Sequence, residues 1–191
     1  MRLVHILAAL MIGSVLTVSA VFAADNYKID PVHGTIIYRI SHFNIGQAYG
    51  RFNNPTGKVV LDKDDAGKSS FEFTVKASDI DTANAKRDSD LKGPDFFDAK
   101  QFPTIMFKST GVKSAGDNKY DVTGDLTLHG VTKSITVPIS KTGEGDTKMM
   151  GYRTGWLAEY DLKRSEYGIM GLQGPVGDDV HLIISFEAVK Q

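Results

Sequence analysis

The chain contains no cysteine in its 191 residues. That single absence removes disulfides, thiol nucleophiles, thiolate-held zinc, iron–sulfur clusters and c-type haem attachment, and leaves no residue to carry a lipoprotein's acyl group. An excess of positive charge is missing too: 22 Lys and Arg stand against 23 Asp and Glu, for a formal net charge of −1. Without surplus cations to neutralise phosphates, nothing points to nucleic acid as a partner. No apolar run reaches the roughly 20 residues that a membrane-spanning helix needs, so no stable membrane insertion is expected. Catalytic signatures are absent as well. There is no G-x-S-x-G elbow, no H-E-x-x-H and no EF-hand loop. Gly67-Lys68-Ser69 ends like a phosphate-binding loop, but the glycine required five residues earlier is Asp62.

What is present begins with a targeting segment. Met1-Arg2 supplies a positive start, Ile6 to Val18 is almost unbroken apolar sequence, and Ser19 to Ala23 ends in small residues around an A-x-A type site. This pattern predicts an exported protein, with residues 1–23 removed as a signal peptide and residues 24–191 forming one domain.

Beyond Ala23 the dominant signal is alternation of apolar and polar residues with period two, the mark of half-buried strands. It runs through Ile36, Tyr38, Ile40 and His42, then Phe71, Phe73, Val75 and Ala77. It returns in Tyr120, Val122, Leu126 and Leu128, in Ile135, Val137 and Ile139, in Trp156, Ala158, Tyr160 and Leu162, and in Leu182, Ile184, Phe186 and Ala188. Turn residues at 64–67, 116–118, 129–130 and 143–146 separate these runs. With shorter segments near 49–53, 58–61 and 104–111, the count reaches about eight strands, which predicts an all-β barrel or sandwich. Ser78 to Lys100 breaks the pattern and reads as one or two short helices, with Ser78 or Asp79 as N-cap.

Candidate chemistry is thin. His33, His42, His129 and His181 lack the close spacing of a metal site, and no metal or cofactor is called for. His42 stands out because it continues an apolar strand face, either as a polar group at a cavity mouth or as a satisfied core histidine. Asp88, Asp90, Asp95 and Asp98 crowd the helical insertion beside Arg87 and Lys92. Acids in that setting are solvated or capping groups rather than a catalytic pair, so no enzyme is predicted. The aromatic residues on inward-reading faces are compatible with a filled core and with the lining of a cavity alike.

From Tyr27 onward the chain resembles the YceI family. The resemblance is carried by Tyr27–His33, by Ser41-His42-Phe43 with Gly50-Arg51-Phe52, and most distinctively by Asp81-Thr82, Arg87-Asp88, Leu91-Lys92, Asp95-Phe96-Phe97-Asp98 and Phe102–Ile105. Gly124–Thr132, Arg164–Gly168, Gly177–Val180 and Phe186–Ala188 complete it. Gly34-Thr35 departs mildly from the family, which often carries Ser there. The resemblance implies a lipocalin-like, extended eight-stranded antiparallel β-barrel with a long apolar pore, a periplasmic location, and a polyisoprenoid, isoprenoid quinone or similar long-chain amphiphilic lipid as ligand. On that footing the apolar lining is expected from Tyr38, Phe71, Phe73, Val75, Ile105, Phe107, Leu126, Leu128, Trp156, Tyr160 and Phe186. His42 and Arg87, backed by Arg51 and Arg164, are the expected head-group contacts, and the Phe96-Phe97 segment is the expected lid. An ion pair of Arg87 with Asp88 or another helical acid is the competing assignment for that residue. A homodimer, a filled-barrel interaction protein and a lipid-modifying enzyme remain as alternatives.

Overall fold

The computed structural model describes residues 24–191; the predicted export segment lies outside them. Ten strands and one short helix follow in chain order: β1 (Asp25–His42), β2 (Gly46–Phe52), β3 (Thr56–Leu61), β4 (Ser70–Lys76), β5 (Ile80–Asp81), α1 (Ala85–Leu91), β6 (Thr104–Gly116), β7 (Lys119–Leu128), β8 (Val131–Asp146), β9 (Tyr152–Lys163) and β10 (Val176–Lys190). β2 and β3 both pair with β1, one with each half of it, and so act as one bent stave. β4 and β5 are interrupted only by a 3-10 turn at Ala77–Asp79. The ten strands therefore make eight staves, each antiparallel to the next, and β1 closes the ring by pairing with β10. The protein is a closed, extended eight-stranded antiparallel barrel.

The predicted faces hold. Ile36, Val75, Val122, Leu126, Trp156, Ala158, Phe186 and Ala188 are all buried, as strand parity requires. Two local expectations are corrected. Gly143 to Asp146 lies inside β8 rather than in a turn, because β8 and β9 stay paired to Asp146↔Tyr152 across a bulge between Lys141 and Gly143. The chain reverses at 147–151 instead. In the insertion, Ser78 and Asp79 sit in the 3-10 turn, and the α-helix begins six residues later. Asn84 is its N-cap, its side chain accepting from the Arg87 amide. Asn84 has the required extended backbone and a free acceptor, whereas Ser78 and Asp79 are committed to the turn that joins β4 to β5.

A bulge in β1 helps to set the barrel's geometry. Between Ile29 and Gly34, four β1 residues find no partner opposite β10. Asp30 pins this bulge: it accepts from Arg153 Nη1 at 2.6 Å and from His33 Nδ1 at 2.9 Å, while its other oxygen takes the Val32 amide. Arg153 first, and then His33, hold the Asp30 carboxyl well below the usual carboxylate range.

One end of the barrel is solid. Trp156 is only 1% exposed and packs edge-on to Phe71 at 5.1 Å and near-parallel to Phe186 at 6.4 Å. Its Nε1 donates to Thr154 Oγ1, so burying the indole leaves no polar group stranded. Tyr27, Leu61, Val112 and Ala188 complete this plug. Trp156→Ala is expected to lower unfolding stability by about 4 kcal/mol, because the surrounding rings of Phe71, Tyr120 and Phe186 come from three different staves and cannot collapse together into the hole. Urea unfolding followed by circular dichroism checks this.

Candidate ligand-binding cavity

Above the plug the barrel is hollow. A cavity of about 780 Å³ runs from Val59, Phe71, Val122, Ile139, Ala158 and Phe186 up to the opposite end, where α1, the 92–97 segment, the β1–β2 hairpin and the 169–176 segment surround its mouth. Glycines help to keep the walls thin. Gly50 lies across from Tyr38 in the β1–β2 register, and a Cβ there would stand 2.4 Å from the Tyr38 hydroxyl. Gly124 likewise leaves room for the tip of the Phe107 ring, 2.6 Å from where its Cβ would be. Both rings lie over neighbouring strands rather than reaching across the lumen.

Ten of the eleven residues expected on the lining border the cavity: Tyr38, Phe71, Phe73, Val75, Ile105, Phe107, Leu126, Leu128, Tyr160 and Phe186. Trp156 does not. It shares their face but sits lower, within the plug, because strand parity sets the direction of a side chain and not its height along the barrel.

The four candidate head-group residues separate. His42 borders the mouth, with the Phe43 ring edge-on at 4.6 Å. Arg87 borders it as well, held by Thr82, whose hydroxyl accepts from Nε at 2.8 Å and whose carbonyl accepts from Nη2 at 2.7 Å. Thr82 in turn donates from its amide and hydroxyl to Asp88 Oδ1. Arg87 is thus linked to Asp88 through Thr82 rather than by an ion pair, and its Nη1 has no hydrogen-bond partner among the described residues. Arg51 is corrected: it points outward and pairs with Asp81 at 2.8 Å, since its neighbour Phe52 takes the inward position. Arg164 borders the mouth but is already engaged. It is 6% exposed, and its guanidinium donates to four backbone carbonyls, those of Gly177 (2.7 Å), Ile169 (3.0 Å), Gly171 (2.7 Å) and Val176 (3.1 Å).

Arg164 therefore shapes the 169–177 segment from within. Burial lowers its pKa, and the Asp178 charge opposes that. Arg164→Lys keeps the charge but cannot reach four carbonyls with one ammonium. It is expected to cost about 3 kcal/mol, read by urea unfolding, with the largest loss of amide-exchange protection in residues 169–177.

The sequence reading missed the roof of the cavity. Leu91, Pro94, Ile169 and Leu172 border it from loops and a helix where period two does not apply. The apolar stretch Ile169 to Leu172, free of polar alternation, was the available signal. Phe96 and Phe97 border the cavity as well, and Phe97 packs edge-on to Phe52 at 5.2 Å. The histidines outside the mouth serve the framework: His129 donates to the Tyr167 carbonyl, and His181 donates to Asp161 on the outer wall.

Two hydroxyls face the hollow without a hydrogen-bond partner among the described residues, those of Tyr38 and Tyr160. Burial pushes the Tyr38 hydroxyl up to about 12, with Arg87 opposing the rise and Asp88 adding to it. Burial pushes Tyr167, under the mouth, to about 12 as well. The unfolded chain releases these protons near pH 10, so their contribution to stability is complete below about pH 10 and is lost as the pH rises through about 12. Denaturant midpoints across that range should fall less steeply for Tyr38→Phe than for the parent; equal slopes would remove Tyr38 from the account.

The architecture and the cavity define a class: a small antiparallel barrel plugged at one end and hollow toward the other. The YceI-like domain matches residues 27–188, and the chain belongs to that family. It is 38% identical over 187 residues, covering 97% of each chain, to a UPF0312 protein of Pseudomonas aeruginosa. Its fold is similar to that of Burkholderia cenocepacia BcnA, with a TM-score of 0.76 at 24% identity over 84% of this chain and 99% of that one. It is also similar in fold to a polyisoprenoid binding domain from Saccharophagus degradans implicated in plant cell wall breakdown, with a TM-score of 0.65 at 13% identity over 86% and 98% of the two chains.

Proposed function

We propose that this protein is a periplasmic carrier that shelters a long-chain isoprenoid, of the polyprenyl or isoprenoid quinone type, or a similar amphiphilic lipid inside its barrel. The observation that carries the reading is the cavity itself. At about 24 cal/mol per Å³, a void of this volume, sealed and empty, would cost on the order of 20 kcal/mol, more than a typical domain's whole net stability. Open at its mouth, the space holds either water or a ligand. An ordered water needs two to four polar partners, and the deep wall of Phe71, Val122, Ile139, Ala158 and Phe186 presents no polar side chain. An apolar chain suits that wall, each methylene gaining about 0.8 kcal/mol on leaving water.

In this reading the tail runs down to the Trp156 plug, and the head group rests at the mouth near Tyr38, His42 and the free face of Arg87. The Phe96-Phe97 segment serves as the lid. The fold shared with a polyisoprenoid binding domain supports the ligand class. Membership of the YceI-like family supports binding rather than catalysis, and a periplasmic setting. A filled-barrel interaction protein has less support, because a scaffold has no use for a hollow interior.

The test is cargo. Protein purified from a bacterial periplasm is expected to carry a stoichiometric lipid in native mass spectra, identified after extraction as an isoprenoid or quinone. Leu182→Trp, which adds bulk to the lining, should reduce the retained lipid while leaving the thermal midpoint within a few degrees of the parent. A protein that arrives empty and takes up no polyprenyl or fatty ligand when offered would end the carrier reading.

A further inference from the structure

The mouth exposes apolar side chains that its packing does not use. Ile45 is 91% exposed and Leu172 62%, and Phe43, Tyr49 and Met170 are open to solvent beside them. The first, third and fourth of these stand on the hairpin between β1 and β2, and the other two on the 168–175 segment. The Phe43 amide donates to the Pro175 carbonyl at 2.6 Å, tying the two loops into one rim. Tyr49 and Leu172 also border the cavity, so the rim is continuous with the inner wall.

Charge is distributed to match. Neither 39–53 nor 167–177 contains an Asp or Glu, although the chain carries 23 of them. Arg39, opposite Tyr49 in the β1–β2 register, has no ion-pair partner among the described residues, and neither has Arg87. The acids around the mouth lie on the α1 side, at Asp88, Asp90 and Asp95, and at the two flanks of the 167–177 segment, at Glu166 and Asp178.

We propose that this rim docks the protein reversibly on a bilayer surface containing anionic phospholipid. Ile45, Met170 and Leu172 enter the boundary between head groups and acyl chains, and Arg39 meets lipid phosphate. The proposal rests on the carrier reading and adds the partner from which cargo is taken or to which it is delivered. A lipid crossing there passes from hydrocarbon to apolar wall without traversing bulk water. A protein partner fits less well: five apolar side chains on two narrow loops fall far short of the roughly 20 to 30 residues a side of stable protein interfaces.

The test uses protein purified from cells expressing the full chain, mixed with sedimentable vesicles of phosphatidylethanolamine and phosphatidylglycerol. Farnesol uptake is measured separately in vesicle-free buffer, on protein from which bound lipid has first been extracted. The parent should pellet with the vesicles, and I45D/M170D, which changes two exposed rim residues that do not border the cavity, should lose about tenfold or more of that partition while taking up farnesol like the parent. M149D/M150D, which changes the exposed methionines of the opposite end, should pellet like the parent. A parent that stays in the supernatant, or an I45D/M170D protein that pellets undiminished, overturns docking even if farnesol binds. A parent that pellets through these two residues yet takes up no farnesol supports docking and overturns the carrier reading. A dimer in light scattering that I45D splits would make the rim a self-association face and overturn docking.

Discussion

The pairing of β1 with β10 is the contact on which everything else depends. It joins the first strand to the last, turning a meander with two exposed edges into a ring, and it holds from Tyr27↔Lys190 to His42↔Val176 despite the bulge between them. Once the ring closes, every second side chain on every stave is committed to a shared interior that water cannot line cheaply. The apolar alternation is a condition of closure as much as a consequence of it. The Asp30–Arg153–Glu187 cluster acts on the same seam, tying the bulged stretch of β1 to β9 and β10. Those three side chains hold one of the two places where the ladder is interrupted.

An eight-stranded barrel is only just wide enough to be filled by its own side chains, so filling or hollowness turns on a few positions. At one end Trp156, Phe71, Tyr27 and Leu61 meet across the axis. Farther up, Gly50 and Gly124 accept the Tyr38 and Phe107 rings against the wall. Aromatic residues thus do opposite work at two heights: they plug the barrel where they meet one another, and they line it where a glycine lets them lie flat. The polar groups of the mouth obey a different constraint. Arg164 is buried without a carboxylate within salt-bridge distance, and it is tolerable there because four carbonyls that the 169–177 segment would otherwise leave unsatisfied converge on it. Arg87 is held by one threonine and keeps part of its guanidinium available. Two arginines of similar position differ in this way in what they are free to bind.

Much of this was legible beforehand, and the omissions have a common cause. Period two identified the inward faces of the long strands, and ten of the eleven residues expected on the lining border the cavity. The same rule applied to β2 would have turned Arg51 outward, given Phe52 inward. The N-cap at Asn84 and the continuation of β8 past Gly143 were not visible, and the apolar run from Ile169 to Leu172 could be seen but not placed over the cavity. Each depends on which distant segment a short stretch lies against: the 3-10 turn that occupies Ser78 and Asp79, the partner strand β9, and the Arg164 guanidinium.

By itself the sequence determined the class of structure: antiparallel strands, an apolar interior, a polar exterior and a helical interruption between two of the staves. These follow from local rules, because side-chain direction along a strand depends only on parity and the cost of burying polar groups is felt residue by residue. The tertiary structure alone decided the heights. Whether Trp156 lines the cavity or plugs it, whether Arg164 is spent on backbone or free for a ligand, and whether Ile45 and Leu172 meet at one rim are set by the stagger between staves and by ring closure. Those are properties of residues as far apart in the chain as Tyr27 and Lys190, and no local periodicity encodes them.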